Sequence, residues 1–124
     1  MNVRKFLLVV TVLTVASLGL AACGGGGSAA TPEPLNVTIH GKDIVFDITT
    51  LTAKVGQTVN ITYINDGVLE HTFLIDGVVT DQKIAPGATT TFSFTAPAAG
   101  AYPYYCNVPG HEEAGMVGTL TVNP

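Results

Sequence analysis

Near the C-terminus the stretch YYCNVPGHEEAGM, residues 104–116, places Cys106, His111 and Met116 in one line with four residues between each pair. A thiol, an imidazole and a thioether this close together are either an ordinary turn between strands or three ligands of one metal ion. The turn chemistry serves both readings. Pro109-Gly110 folds the chain back between Cys106 and His111, and Gly115 gives freedom just before Met116. The fourth donor must come from elsewhere, and His71 in NDGVLEHTFLID is the natural candidate. It opens an apolar stretch right after an Asn-Asp-Gly turn, which can bring it to the same end of the molecule as the loop.

Such a donor set has a definite preference. Thiolate and thioether are soft and imidazole is borderline, a combination that suits copper in both of its common oxidation states. Structural zinc sites use several thiolates or a Cys/His mixture, with thioether rarely among them. Calcium and magnesium require oxygen ligands. Two histidines and a cysteine in a trigonal arrangement, with a weak axial methionine, form the geometry of blue-copper electron-transfer sites. The remaining histidine, His40, has no donor beside it in sequence and reads as a solvated residue starting a turn.

The elements that must hold these donors are all β. LNVTIHG (35–41), DIVFDI (43–48), TVNITYI (58–64), TTTFSF (89–94) and VGTLTV (117–122) alternate apolar and polar residues. Turn signals separate them at Gly41-Lys42, Gly56-Gln57, Asn65-Asp66-Gly67, Asp76-Gly77, Ala85-Pro86-Gly87 and residues 96–100. No stretch has a helical period with caps. The pattern predicts one all-β domain over residues 35–124, a Greek-key antiparallel sandwich or barrel of seven to eight strands. Ile44, Phe46, Ile48, Val59, Ile61, Tyr63, Phe73, Ile75, Phe92, Phe94, Tyr104 and Leu120 are its expected core.

The region ahead of this domain has a different character. Arg4-Lys5 precede FLLVVTVLTVASLGLAA, an apolar run of 17 residues that is at the lower edge of the ~20 needed to cross a bilayer. Length alone therefore leaves a membrane anchor and a cleaved signal both open. The next feature is LAAC, residues 20–23, where small residues precede a cysteine. This resembles the bacterial lipobox, in which the cysteine receives a lipid and becomes the first residue of the mature protein. Residues 1–22 are accordingly expected to be a lipoprotein signal peptide and Cys23 the lipidated residue. Residues 23–34, rich in Gly, Ser and Pro, read as a tether. Its 11 residues after Cys23 span roughly 18 Å as a flexible coil. The resemblance bears on Cys106 as well. Cys23 and Cys106 could form a disulfide in an oxidising compartment, but a lipid on Cys23 would leave Cys106 a lone thiol in need of protection.

With Arg4 and Lys5 removed, three lysines face nine acidic residues, a net charge near −6. That surface does not suit nucleic acid or anionic headgroups, which call for basic patches. It suits a partner with a basic docking face.

Over residues 36–123 the domain resembles the cupredoxins, the family of plastocyanin and azurin. The resemblance is carried by the histidine after an Asn-x-Gly turn, by APG (85–87) ahead of a Thr/Phe strand, and by PAAGAYPYYC (97–106). The Cys-x4-His-x4-Met loop followed by VGTLTV completes it. CNVPGH has the Cys-to-His spacing of azurin-like loops around Pro-Gly, whereas GMVGTLTV is more like plastocyanin. The His-to-Met spacing is one residue longer than in azurin-like loops. Where both relatives have an asparagine after the first histidine this chain has Thr72, which keeps the backbone N–H that supports the thiolate.

The resemblance implies one type 1 copper held by His71, Cys106, His111 and Met116, and a role in carrying single electrons. It also implies that the His111 ring edge reaches the surface. Val68, Leu69, Val108, Pro109 and Ala114 would lie around that edge, with Glu112 and Glu113 at the rim of a docking patch. Four protein ligands leave no open coordination position for hydrolytic chemistry, and His40 alone is too little for a second copper site. An enzyme is therefore not expected. The chain is expected to be an exported monomer, lipid-anchored on the periplasmic or extracytoplasmic side, that meets redox proteins. A copper-carrying or storage protein using the same ligands is the alternative. A metal-free adhesion domain would need none of the four donors.

Overall fold

A computed structural model describes Gly27 and residues 30–124. The expected signal peptide, Cys23, and the tether apart from Gly27 and residues 30–34 lie outside the described residues. Within them there are nine strands and no helix: β1 (Leu35–Lys42), β2 (Val45–Phe46), β3 (Thr50–Lys54), β4 (Thr58–Asn65), β5 (His71–Ile75), β6 (Val79–Ile84), β7 (Thr89–Thr95), β8 (Gly100–Tyr105) and β9 (Val117–Asn123). One sheet has the order β2-β1-β4-β7 and the other β3-β9-β8-β5-β6. Seven or eight strands are expected from the sequence; the count rises to nine because β3 and β6 carry no clear alternation in the sequence.

Most neighbours are antiparallel, but β1 pairs with β4 and β3 with β9 in parallel. The parallel pairs arise because the chain changes sheets. After β2 it crosses to the second sheet as β3 and returns as β4, so β1 and β4 point the same way. Parallel neighbours require such a crossover, since a tight turn can join only antiparallel strands.

Alternation places the core between the sheets. Along β4 every second residue is buried, in the series Val59, Ile61, Tyr63, Asn65, and β9 contributes Leu120 and Val122. Of the expected core, Ile44, Ile48 and Phe92 are only partly buried, against its edge. The centre is aromatic. Phe73 stacks on Tyr104 with ring centroids 5.1 Å apart. Phe46 meets Tyr63 edge-on at 6.0 Å, an arrangement favoured by the ring quadrupoles.

Two sequence expectations change here. Gly41-Lys42 is not a turn but the end of β1. The hairpin turns one residue later, where Asp43 adopts φ of 54° and shortens DIVFDI to the two-residue β2. Gly41 is needed for close approach, because a Cβ there would collide with the Tyr63 hydroxyl. His40 likewise lies within β1 rather than at a turn. Although solvated as expected, it has a partner, since its Nδ1 is 2.6 Å from the Asp66 carboxylate.

Candidate metal centre

His71 is the first residue of β5, and its position depends on what fixes the loop before it. Asn65, fully buried at the end of β4, does this with one side chain. Its amide donates to the carbonyls of Leu69 (2.8 Å) and Ile84 (3.0 Å), and its Oδ1 accepts from Gly67 N–H (2.9 Å). The β4–β5 loop and the end of β6 are thereby clamped around His71, which pairs with Ile84 across the β5–β6 ladder. In the sequence Asn65 reads only as part of the Asn-Asp-Gly turn. Its place in the inward series 59, 61, 63, 65 was the available clue, because a buried asparagine must satisfy its hydrogen bonds internally.

The other three donors come from the segment joining β8 to β9. Cys106 directly follows β8 and is fully buried. Gly110 and Gly115, at φ of 85° and 103°, permit the tight turns that carry His111 and Met116 back towards it. Backbone bonds then tie the three together. Cys106 N–H donates to the Met116 carbonyl (3.1 Å), Met116 N–H to the His111 carbonyl (3.0 Å), and His111 N–H to that of Val108 (2.9 Å). The loop is a braced ring rather than an open excursion.

The side chains converge. His71 Nδ1 lies 3.3 Å from His111 Nδ1, which is 3.4 Å from Cys106 Sγ. One donor atom from each of the three residues falls within 4.8 Å of the others. Met116 is fully buried on the same ring and His111 is only 7% exposed. The backbone N–H of Thr72 donates to Cys106 Sγ at 3.3 Å, as its sequence position implied. The Thr72 hydroxyl accepts from Asn107 N–H and donates to Asn107 Oδ1, each at 2.8 Å, which locks the residues after His71 and Cys106 to one another. Asn107 was not singled out in the sequence. Val108 is half-buried against the core, while Glu112 and Glu113 are exposed on the loop. The two segments that carry the ligands also expose apolar residues: Val68 (87%) and Leu69 (45%) between β4 and β5, and Pro109 and Ala114 between β8 and β9.

Two imidazole nitrogens at 3.3 Å cannot both carry protons without repulsion. The pKa of His71 is lowered from its ordinary 6.5, chiefly by burial and then by the His111 charge, with Asp43 opposing. The neutral ring keeps a lone pair, as a metal ligand must. The unfolded chain takes up a proton at this histidine near 6.5 while the fold resists it, so stability is lost as pH falls through that value. The urea midpoint of the metal-free protein is expected to drop between about pH 7 and pH 5. His71→Gln should flatten that drop, and an equal drop in the variant would contradict the assignment.

Two nitrogen donors and one sulfur facing a common point, with no carboxylate among them and a buried thioether on the same ring, fit copper better than zinc or a hard cation. The comparisons with known proteins agree. A family model described as a cupredoxin-like domain matches residues 6–122. Auracyanin-A of Chloroflexus aurantiacus is 31% identical over 163 residues, covering 99% of this chain and all of that protein. Its solved structure, titled a "blue" copper protein, superposes with a TM-score of 0.64 at 29% identity over 73% of this chain and 99% of its own. Plastocyanin of Nostoc punctiforme is 34% identical over 138 residues, 98% of this chain and 94% of that one. The copper-resistant cuproprotein CopI of Rubrivivax gelatinosus is 27% identical over 119 residues, 80% of this chain and 72% of CopI.

Proposed function

Because the chain belongs to the cupredoxin-like family, we propose that it is a small blue copper protein that carries single electrons between redox proteins outside the cytoplasm, tethered to a membrane by a lipid on Cys23. The observation that carries this reading is the convergence of His71 Nδ1, His111 Nδ1 and Cys106 Sγ in a buried, cross-braced site. Copper supplies a one-electron couple there, and the chain supplies everything else.

His71 is fixed by the Asn65 clamp and Cys106 by the end of β8, so the nitrogen and sulfur positions resist rearrangement when the metal changes charge. The Thr72 N–H stabilises the thiolate. Met116, buried on the same loop, would add a thioether to the residues that hold the copper. His111, 7% exposed, would be the copper-holding residue nearest the surface, and its ring edge would offer the route for an electron. The apolar surface of Val68, Leu69, Pro109 and Ala114 docks the partner, with Glu112 and Glu113 and the net negative charge favouring a basic face opposite.

A copper-handling role is the second reading, favoured by the similarity to CopI. Loss of copper to a chelator is the discriminating measurement. Slow loss with fast electron self-exchange supports the electron carrier, and release on the timescale of function supports copper handling. The membrane tether is tested separately by Cys23→Ser, which should release the protein from the membrane fraction. Retention there would contradict lipidation at Cys23.

Met116→Gln is expected to lower the reduction potential while keeping the copper, because an amide oxygen is a harder donor that favours the oxidised ion. An unchanged potential on voltammetry would show that Met116 does not hold the copper.

A further inference from the structure

A histidine that ligates a metal through one ring nitrogen usually donates its other N–H to a carboxylate, a carbonyl or a water, and this partner fixes the ring and raises its basicity. His71 turns Nδ1 to the site. Its Nε2 is buried with no hydrogen-bond partner among the described residues. A buried N–H left this way loses its hydration with nothing in return.

What surrounds that nitrogen is specific. Gly67, in the clamped β4–β5 loop, leaves a notch beside it. A Cβ at position 67 would lie 3.4 Å from His71 Nε2, 3.4 Å from the backbone nitrogen of Asp43 and 3.3 Å from Asn65 Oδ1. Two donors and one acceptor therefore ring the place where a side chain would begin. The Asn65 oxygen already takes the Gly67 N–H at 2.9 Å and keeps a second lone pair. A water oxygen can accept from His71 Nε2–H and from Asp43 N–H while a water proton goes to Asn65 Oδ1, which gives it the two to four polar partners a buried water needs. Asp43 reaches this place because its φ of 54° turns the β1–β2 hairpin there.

We propose that the notch formed by Gly67, Asp43 and Asn65 seats one water on His71 Nε2–H, and that this water sets how strongly His71 donates to the metal. The inference rests on the reading of His71 as a ligand. It assigns Gly67 and Asp43 a positioning role in metal binding. Only a glycine keeps the notch open, although nothing in its backbone demands one, since the φ of Gly67 lies outside the left-handed region.

That backbone makes substitution a clean test. Gly67→Ala and Gly67→Ser place the same Cβ at the same contacts, but only serine adds a hydroxyl that can accept from Nε2–H. Zn(II) affinity, a redox-silent readout, is expected to fall about tenfold in Gly67→Ala and to recover most of that loss in Gly67→Ser. The reduction potential of the copper-loaded protein should rise in the alanine variant, because a less basic ligand favours the reduced ion, and return in the serine variant. In the metal-free protein above neutral pH, nitrogen-15 NMR should show His71 protonated at Nε2 with a magnetisation-transfer peak to water. Equal affinities and potentials in the two variants would overturn the proposal, as would an Nε2–H with no contact to water. Full Zn(II) affinity in His71→Gln would overturn both this inference and the ligand assignment beneath it. A large loss in His71→Gln beside a silent Gly67→Ala would overturn the notch alone.

Discussion

Cys106→Ser should leave a folded domain that binds Cu(II) more than about 100-fold more weakly and shows no intense blue absorption. The fold should survive because the substitution is nearly isosteric and Thr72 N–H can donate to a serine oxygen as it does to Cys106 Sγ at 3.3 Å. The site should fail because an alcohol does not ionise near neutral pH and is a hard donor, so both the anionic charge and the soft character of the ligand set are lost. Removing mere partners of metal ligands already costs 10–100-fold in affinity, and removing an anionic ligand costs more. The remaining pair of imidazoles should still hold Cu(II) weakly, with a pale spectrum. Persistence of the intense band in the variant would show that the colour does not come from Cys106.

The second large effect concerns stability. Phe73→Ala is expected to cost about 3–5 kcal/mol, read as a lower urea midpoint in the metal-free protein. Phe73 has no exposed surface and is the hub of the aromatic core. It stacks on Tyr104 at 5.1 Å and meets Phe92 at 5.3 Å, Phe46 at 6.0 Å and Tyr63 at 6.5 Å. No neighbour can collapse into the gap without leaving its own partners. Since a domain of this size has only about 5–15 kcal/mol in total, the variant would be close to unfolding at room temperature. Phe73 also lies two residues beyond His71 on β5, where the pairing with β6 shifts register, so a loosened β5 should weaken copper binding as well. Saturating metal should recover part of the loss, because it binds only the folded state. A cost under about 1 kcal/mol would mean that the core repacks, contrary to the close packing seen here.

Much of the site was legible in the residue types. Cys106, His111 and Met116 are close in sequence, and the turn residues between them announce that the chain folds back. His71 could be found because a strand opening after Asn-Asp-Gly must begin at an end of the sandwich. The supporting residues were harder to see. Asn65 looked like a turn former, since asparagine favours turns, and only its register on β4 shows that it points inward. Asn107 acts on Thr72 through its backbone N–H and side-chain oxygen, and Gly67 through the space it leaves, none of which shows in composition.

In the fold, strands with strong alternation such as β4, β7 and β9 were readable. β3 was missed because its inward residues are Leu51 and a small Ala53 among threonine and lysine. β6 was missed because its exposed centre, Thr80 to Lys83, interrupts the apolar pattern between Val79 and Ile84. Gly41 was misread for a different reason. A glycine can mark a turn or a close approach, and only the Tyr63 ring packed against it decides between them.

The central claim is that His71, Cys106, His111 and Met116 together make one blue copper site. Titration of the metal-free protein with Cu(II), followed in the visible spectrum, tests it most directly. An intense thiolate-to-copper band that grows to one equivalent and then stops is the predicted result. Only weak absorption, or loss of the Cys106 thiol without a blue intermediate, would contradict it.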